Sequence, residues 1–341
     1  MLRLRRPLLQ VLVFTVTMCW LTACGMLDTA SPRQATAALP SPTLAAPQPT
    51  AVPPAVTTVA ITPDGALWYA HGQLAWPTHG GGGVKRLVDG VTTSFGMEDG
   101  LPHEHVQLLR VAPDGRLWAA VERHLARFNG QAWETIACVG ELTDNIVLDL
   151  AFASDGSVWV ASPFGLVRLN GESCTTEDRL TRAVACAPDG TVWASGWEGA
   201  QGSWYVGSWD GVNWTTYNTI DLFDESVSQL VVTADGRVWG ATAYHGVVCF
   251  DGQDWTEHST EDGLPSNRIL QLVLAADGTL WALTDRGIAR FDGQGWVKEA
   301  DAPMTARAMA IAPDGTLWFA TALGLESSER LLPKSTATQS P

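Results

Sequence analysis

Histidines supply the side chains that most suggest chemistry in this sequence of 341 residues. His103 and His105 are two positions apart, so on an extended segment their rings project to the same side. With His79 or His124 they would offer imidazole ligands to a transition metal. The alternative is that histidine, as a polar residue, simply collects in surface segments. The sequence favours this alternative, and we predict no bound metal and no cofactor.

Large aromatic residues in polar segments point to a second kind of chemistry, recognition by stacking. Trp76, Trp197 and Tyr244 are candidates for packing against a sugar ring or a peptide. Trp204 lies in a predicted strand, where covering the core is the better interpretation. For Trp76 and Trp197 both roles stay open. The polar groups expected to act with these rings are Glu104, Glu198, His245, Asp285 and Arg286.

Enzyme signatures are scarce in the sequence. No G-x-S-x-G, H-E-x-x-H or phosphate-binding glycine pattern occurs in a plausible setting. The carboxylate pairs in "GMEDG" (96–100) and "TEDG" (260–263) are typical of turns. We therefore assign no catalytic residue and favour a binding protein. The alternatives are a lyase or hydrolase acting on an extracellular polymer or lactone, and a purely structural surface protein.

A repeat defines the elements that must position these residues. Seven segments resemble "APDGRLWAA" (112–120), and in each a tryptophan follows four residues after the turn aspartate. Six intervals separate Trp68 from Trp318, which gives a mean period of about 42 residues, typical of a propeller blade. The turn aspartates are Asp64, Asp114, Asp155, Asp189, Asp235, Asp277 and Asp314.

Each repeat contains four apolar runs joined by tight turns. Pro-Asp-Gly closes a three-residue hairpin with a bulge, in which glycine takes a positive φ. Leu117 and Trp118 then point to opposite faces of a strand that is covered on both sides. We predict an all-β chain that forms a seven-bladed β-propeller of four-stranded antiparallel blades. The last blade is expected to be incomplete, or to be closed by the segment before Val59.

Strand order assigns the connections to two sides of this propeller. Turns between the first and second strands, and between the third and fourth, share one side, here called the turn face. Connections between the second and third strands, and between blades, share the other side, here called the variable-loop face. Binding residues usually lie in such loops on a rigid scaffold. The candidate ligand-binding residues of this face are Trp76, His79, His103, Glu104, His105, His124, Trp197, Glu198, Tyr244, His245 and Arg286.

The combination of "PDG-x-LW", "GL-x-RFDG" and "DGLP" (99–102 and 262–265) resembles the two-component-regulator propeller repeat. The resemblance covers about residues 57–325. It implies a propeller of four-stranded blades and an extracytoplasmic sensor role, since the family is known mainly from sensor regions of hybrid histidine kinases. No kinase, receiver or regulator segment follows the seventh repeat, so we expect a stand-alone protein that acts with a separate membrane partner.

The N-terminal residues predict export. "MLRLRRP" is a basic region, an apolar stretch follows, and "LTAC" ends at Cys24. These four residues resemble a bacterial lipobox, which implies lipidation of Cys24 and membrane attachment by acyl chains. An uncleaved membrane anchor, an ordinary signal peptide and a chance apolar stretch are the alternatives. We predict a lipoprotein signal peptide (1–23), a disordered Pro/Ala/Thr-rich linker (24–56), the propeller (57–332) and a disordered tail (333–341).

Charge and cysteine content narrow the class of partner. A net charge of −15 disfavours nucleic acid, which demands a basic surface. The expected partner is a glycan, a peptide or a membrane protein, and nothing implies an oligomer. Four cysteines of the propeller allow three pairings. Cys138 and Cys174 are placed where they would bridge adjacent outer strands, whereas Cys186 and Cys249 fit buried thiols.

Overall fold

Twenty-seven β-strands form seven antiparallel sheets in the residues that the computed structural model describes, which are 55–71, 82–138, 146–198, 203–218, 225–303 and 305–327. The predicted seven-bladed β-propeller of four-stranded antiparallel blades is confirmed. The first three blades comprise β1 Val56–Ile61, β2 Leu67–His71, β3 Val84–Val88 and β4 Val91–Phe95; β5 Val106–Val111, β6 Leu117–Val121, β7 His124–Phe128 and β8 Trp133–Ile136; and β9 Asp149–Phe152, β10 Val158–Ser162, β11 Gly165–Asn170 and β12 Ser173–Glu177.

The remaining four blades follow in chain order. They comprise β13 Leu180–Cys186, β14 Val192–Glu198, β15 Ser203–Trp209 and β16 Trp214–Asn218; β17 Gln229–Val232, β18 Val238–Ala241, β19 Val247–Phe250 and β20 Trp255–His258; β21 Ile269–Leu274, β22 Leu280–Thr284, β23 Gly287–Phe291 and β24 Trp296–Ala300; and β25 Ala306–Ile311, β26 Leu317–Thr321 and β27 Gly324–Ser327. Two 3-10 turns, Met97–Asp99 and Thr260–Asp262, precede blades 2 and 6. No helix within the described ranges has the length and apolar character needed to span a membrane.

The repeated Pro-Asp-Gly segment is a hairpin turn, as predicted. In blade 2 the Ala112 amide donates to the Arg116 carbonyl and the Gly115 amide to the Ala112 carbonyl, both at 2.8 Å. Gly115 has a φ of 82°, which closes the bulge. The Asp114 carboxylate accepts the Arg116 amide, and each of the other six turn aspartates accepts the amide two residues on. This carboxylate therefore has a structural role.

The second strand of each blade is buried on both faces. Leu117 packs into the core between blades 1 and 2, whereas Trp118 packs into the core between blades 2 and 3. The two side chains are 2% and 6% exposed. One apolar residue pair per repeat thus joins three consecutive blades, and this explains why both positions are apolar.

Each "DGLP" segment packs the connection between two blades against the outer strand of the blade that follows. Gly100 has a φ of 91°, and a Cβ at this position would overlap the carbonyl oxygen of Trp133. Gly263 has the same relationship to Trp296. The leucine that follows each glycine is buried. Only glycine fits this close approach, and the motif therefore fixes the path of the chain between blades.

The ring closes by packing of one sheet face on another. Val56, Val59 and Leu67 of blade 1 form a buried cluster with Ala310 and Ala320 of blade 7. Of the segment before Val59, which was expected to complete blade 7, residues 56–58 instead belong to β1 in blade 1. Within the described residues blade 7 has three strands, and no strand pairs with the outer edge of β27.

Cys138 and Cys174 form a disulfide that joins the ends of blades 2 and 3 at their outer strands. The proposed bridge between adjacent blades is therefore confirmed. Cys249 is buried and Cys186 is half-buried, and both are free thiols. Burial raises the pKa of each to about 12, so neither is a reactive thiolate at neutral pH.

Candidate functional site: the variable-loop face and the channel mouth

The structure places the connections on the two faces as strand order predicted. The turn Thr62–Asp64, its equivalent in blade 2 and the turn at Asn129 and Gly130 line one shallow cavity on the turn face. Blades 5 and 6 repeat this arrangement with Asp235, Asp277 and Gly293. The connections between the second and third strands lie at the opposite end of the blades. Trp76 and His79 lie outside the described residues.

His103 and His105 lie beside the β6–β7 turn of blade 2. The His103 Nδ1 accepts the His105 amide at 3.0 Å and is 3.5 Å from a carboxylate oxygen of Glu122. The Glu122 amide donates to the His105 carbonyl. These contacts tie the connection before blade 2, which includes the half-buried Glu104, to the turn. Among the described residues no group of three or more His, Cys, Asp or Glu side chains is placed to hold a metal.

His124 begins β7 and is half-buried opposite Val121. Its Nδ1 is buried and makes no hydrogen bond within the described part of the chain. Since no group of three ligating side chains occurs among the described residues, His124 does not form a ligand set with His103 and His105.

Trp197 and Trp204 face each other across the β14–β15 ladder of blade 4. Their ring centroids are 4.6 Å apart at an interplanar angle of 77°. Trp197 is 38% exposed and Trp204 is half-buried, so Trp204 supports the ring of Trp197. Glu198 lies 3.4 Å from Arg179. The Arg179 guanidinium also contacts the rings of Tyr205 and Trp214, at 4.7 Å from each centroid.

The β18–β19 loop carries the most exposed aromatic ring among the predicted residues that the structure describes. Tyr244 is 78% exposed. Glu225 holds this loop, because its carboxylate accepts the amides of Ala243 at 2.7 Å and Tyr244 at 3.1 Å. His245 Nδ1 lies 3.5 Å from the Glu257 carboxylate. In the equivalent loop of blade 6, Asp285 and Arg286 are exposed and the Arg286 amide donates to Thr284 Oγ1.

A cavity of about 420 Å³ opens at the centre of the variable-loop face, and sequence reasoning missed the residues that line it. We call it the mouth cavity. Every blade lines it with the residue seven positions before its turn aspartate, near the start of its first strand. These residues are Thr57, Gln107, Leu148, Arg182, Ser228, Leu270 and Arg307.

At five of these seven positions the first strand has a β-bulge, which explains why their side chains are placed differently from those of the rest of the strand. The pairing register shifts at Thr57, Gln107, Arg182, Leu270 and Arg307, so each of these residues has no direct partner on the second strand. A bulge redirects a side chain and bends the strand. The available sequence signal was a polar residue, present in five of the seven repeats, at a fixed distance from the turn aspartate in an otherwise apolar strand.

Hydrogen bonds join neighbouring blades at the next residue of the first strand. Six positions before the turn aspartate, a polar side chain in four blades accepts the backbone amide of the next blade. Gln229 does so most completely, because its Oε1 accepts the Leu272 amide at 2.8 Å and its Nε2 donates to the Leu272 carbonyl at 2.9 Å. The other three contacts join Thr58 to Leu109, Asp149 to Val184 and Gln271 to Met309.

Asp149 is the one buried carboxylate of this group in the described residues. Burial raises its pKa, and the Arg110 guanidinium and the Leu150 and Val184 amides oppose this rise. Arg110 donates to Asp149 at 3.1 Å. Arg110 and Asp149 also line a second central cavity of about 380 Å³, whose lining includes Ile61, Val111, Leu274 and Ile311.

Comparison with known proteins shows the fold. No family model matches the chain. No curated protein matches it in sequence. The extracellular domain of a B. thetaiotaomicron protein assigned to a hybrid two component system is 18% identical, with a TM-score of 0.63 over 82% of this chain and 39% of that chain. The chain thus spans well under half the length of that structure.

Two other solved structures match over nearly their whole length. A catalytically inactive His-to-Ala form of virginiamycin B lyase from Staphylococcus aureus, crystallised with quinupristin, is 13% identical, with a TM-score of 0.63 over 82% of this chain and 95% of that chain. YCF48 bound to D1 peptide is 16% identical, with a TM-score of 0.58 over 83% and 94%. These similarities confirm the propeller that the repeat resemblance implied.

Proposed function

We propose that this chain is an exported binding protein that holds a ligand or partner at its variable-loop face, around the mouth cavity. The supporting observation is that all seven blades line this cavity at the same repeat position, and that this position holds five different residue types. On the turn face, by contrast, the same carboxylate accepts the equivalent amide in every blade. A rigid scaffold with a variable centre suits recognition.

The resemblance to sensor propellers favours one form of this proposal. A propeller tethered by lipid at Cys24 presents its ligand to a separate membrane protein. Mass spectrometry of the mature N-terminus tests the tether, with a diacylated residue 24 as the expected result. Cys24→Ala should release the protein from membranes, whereas Cys19→Ala, a change of the same type in the leader, should not. An unmodified Cys24 or a retained Met1 would refute it.

Site-specific photo-crosslinking in cells tests the binding surface. A photoreactive residue replaces Leu148 in the mouth cavity, and a matched one replaces Val212 on the turn face. Both side chains are exposed apolar residues, at 41% and 82%. We expect one defined crosslinked product from position 148 and none from position 212. Equal products from both positions, or none from either, would contradict the proposal.

An enzyme remains the second candidate because two histidine–carboxylate pairs lie on the variable-loop face. His103 with Glu122 and His245 with Glu257 are each 3.5 Å apart. The propeller fold is shared with a lyase that loses activity when one histidine becomes alanine. Incubation of the full chain with quinupristin, followed by mass spectrometry, tests this candidate. Turnover that His103→Ala or His245→Ala abolishes would replace the binding proposal, and unchanged quinupristin is the result we expect.

A further inference from the structure

The mouth cavity concentrates positive charge in an acidic protein. The chain has 36 Asp and Glu residues against 21 Lys and Arg. Yet Arg182, Arg268 and Arg307 all line this one cavity and are exposed to it. Since like charges repel, three guanidinium groups around one opening destabilise the protein while the cavity is empty. Their presence there therefore needs a reason other than stability.

None of these three arginines has an acidic partner within the ranges that the structure describes. The ion pairs found there use other arginines. The Asp149 carboxylate that lines the cavity is engaged by Arg110 and two backbone amides. Glu225, next to the rim, accepts the amides of Ala243 and Tyr244. Both carboxylates thus already accept hydrogen bonds from other groups.

The three guanidinium groups come from blades 4, 6 and 7, so they lie on more than one wall of the cavity. Guanidinium binds a carboxylate through two parallel hydrogen bonds, and these bonds are stronger than neutral ones. Gln107 also lines the cavity, and its buried Oε1 makes no hydrogen bond in the described part of the chain. The site can therefore hold several carboxylates together with neighbouring amide groups.

We propose that the mouth cavity binds an acidic peptide segment, with Arg182, Arg268 and Arg307 each pairing with a carboxylate. This inference rests on the proposed function and names the chemistry of its ligand. A volume of about 420 Å³ admits a few side chains of a peptide. Among the described residues that line the cavity there is no tryptophan or tyrosine, so this lining offers no ring platform for a sugar to stack upon. An acidic peptide thus fits better than an acidic polysaccharide.

Fluorescence polarisation with the purified full chain tests this inference. The probe is a fluorescein-labelled hexaglutamate peptide, and the neutral control is hexaglutamine. We expect saturable binding of hexaglutamate that weakens with added NaCl, and no binding of hexaglutamine. Arg182→Gln, Arg268→Gln and Arg307→Gln should each weaken binding by about tenfold, since each removes one charge-assisted contact.

Arg116→Gln is the matched control, because Arg116 is an exposed arginine on the turn face. The affinity of the Arg116→Gln protein for hexaglutamate should stay within about twofold of the wild-type value if the mouth cavity is the site. Circular dichroism confirms that each variant is folded. Three outcomes would overturn the inference. They are equal losses of affinity in all four variants, equal binding of both peptides, and binding of the acidic polysaccharide polygalacturonate without binding of hexaglutamate. If crosslinking at position 148 succeeds while hexaglutamate fails, the proposed function stands and only the ligand class is wrong.

Discussion

Arg110 and Asp149 form an ion pair, 3.1 Å between nitrogen and oxygen, that joins the first strands of blades 2 and 3 inside the central channel. The Asp149 side chain is 7% exposed and that of Arg110 is 28% exposed. Asp149 also accepts the Val184 amide of blade 4. One carboxylate thus connects three blades at the centre of the propeller.

Arg110→Met should lower the free energy of unfolding by about 3 kcal/mol at pH 8, because it leaves the buried Asp149 carboxylate without its counter-charge. Asp149→Asn should cost less, about 1–2 kcal/mol, since the remaining arginine is partly solvated and an amide oxygen can still accept the Val184 amide. Urea unfolding measures both. The double variant should lose less than the sum of the two. Strict additivity would show that the pair does not couple.

The pH dependence of Arg110→Met should reveal Asp149. Burial raises the pKa of this carboxyl, and removal of Arg110 removes the main opposing influence. A folded-state pKa above the unfolded value means that the folded protein holds the proton more tightly, so stability is lost as pH rises. The Arg110→Met protein should therefore gain stability relative to wild type as the pH is lowered from 8 to 5. The same difference measured for Arg110→Met/Asp149→Asn should be flat over this range.

Asp155→Asn tests the turn carboxylates. Ser157, through its hydroxyl and its amide, and Arg168 hold the pKa of Asp155 below its ordinary value of 3.8. A depressed pKa adds stability that is complete above this value and is lost as the pH falls below it. We expect the variant to be less stable than wild type by about 1 kcal/mol at pH 7, and the gap to shrink below pH 4. The protein should lose less stability at pH 7 when Asp189, for which the described residues show no arginine partner, is changed to Asn. A gap that widens in acid would contradict this account.

Gly100→Ala should destabilise the propeller far more than Gly130→Ala. Both glycines have a positive φ, 91° and 102°, so both variants carry the backbone strain of a non-glycine residue. Only at position 100 would the new Cβ overlap a carbonyl oxygen, whereas nothing lies within 4 Å of it at position 130. We expect losses of about 3 and 1 kcal/mol, measured by thermal and urea unfolding. Equal losses would mean that strain, and not the close approach to Trp133, requires glycine in the "DGLP" motif.

Reduction of the Cys138–Cys174 disulfide should lower stability by about 3–4 kcal/mol. The bridge closes a loop with a sequence separation of 36, and this constrains the unfolded chain. Urea unfolding with and without a reductant measures the effect. The Cys138→Ser/Cys174→Ser protein should show the lower stability in both conditions. A reductant effect that persists in this variant would assign the loss to another group.

Local patterns predicted the framework well because they depend on neighbours in sequence. The "PDG" turns, the two-sided burial of Leu117 and Trp118 and the assignment of loops to two faces follow from hairpin chemistry and side-chain alternation. The Cys138–Cys174 bridge was one of the open pairings, since Cys174 replaces the outer-strand tryptophan of its repeat and Cys138 lies just beyond the same region of the preceding repeat. Local patterns did not predict the course of the chain before Val59, because the sheet that a strand joins depends on packing against distant residues.

The sequence by itself determined the seven-bladed architecture, the turn chemistry and the side on which variation collects, because each follows from a period or an alternation along the chain. Only the tertiary structure decided that Arg182, Arg268 and Arg307 meet in one cavity, that Arg110 pairs with Asp149, and that His124 stays apart from His103 and His105. These relationships join residues from different blades, or from strands and loops of one blade. Their distances are fixed by the closure of the ring, which no local pattern encodes.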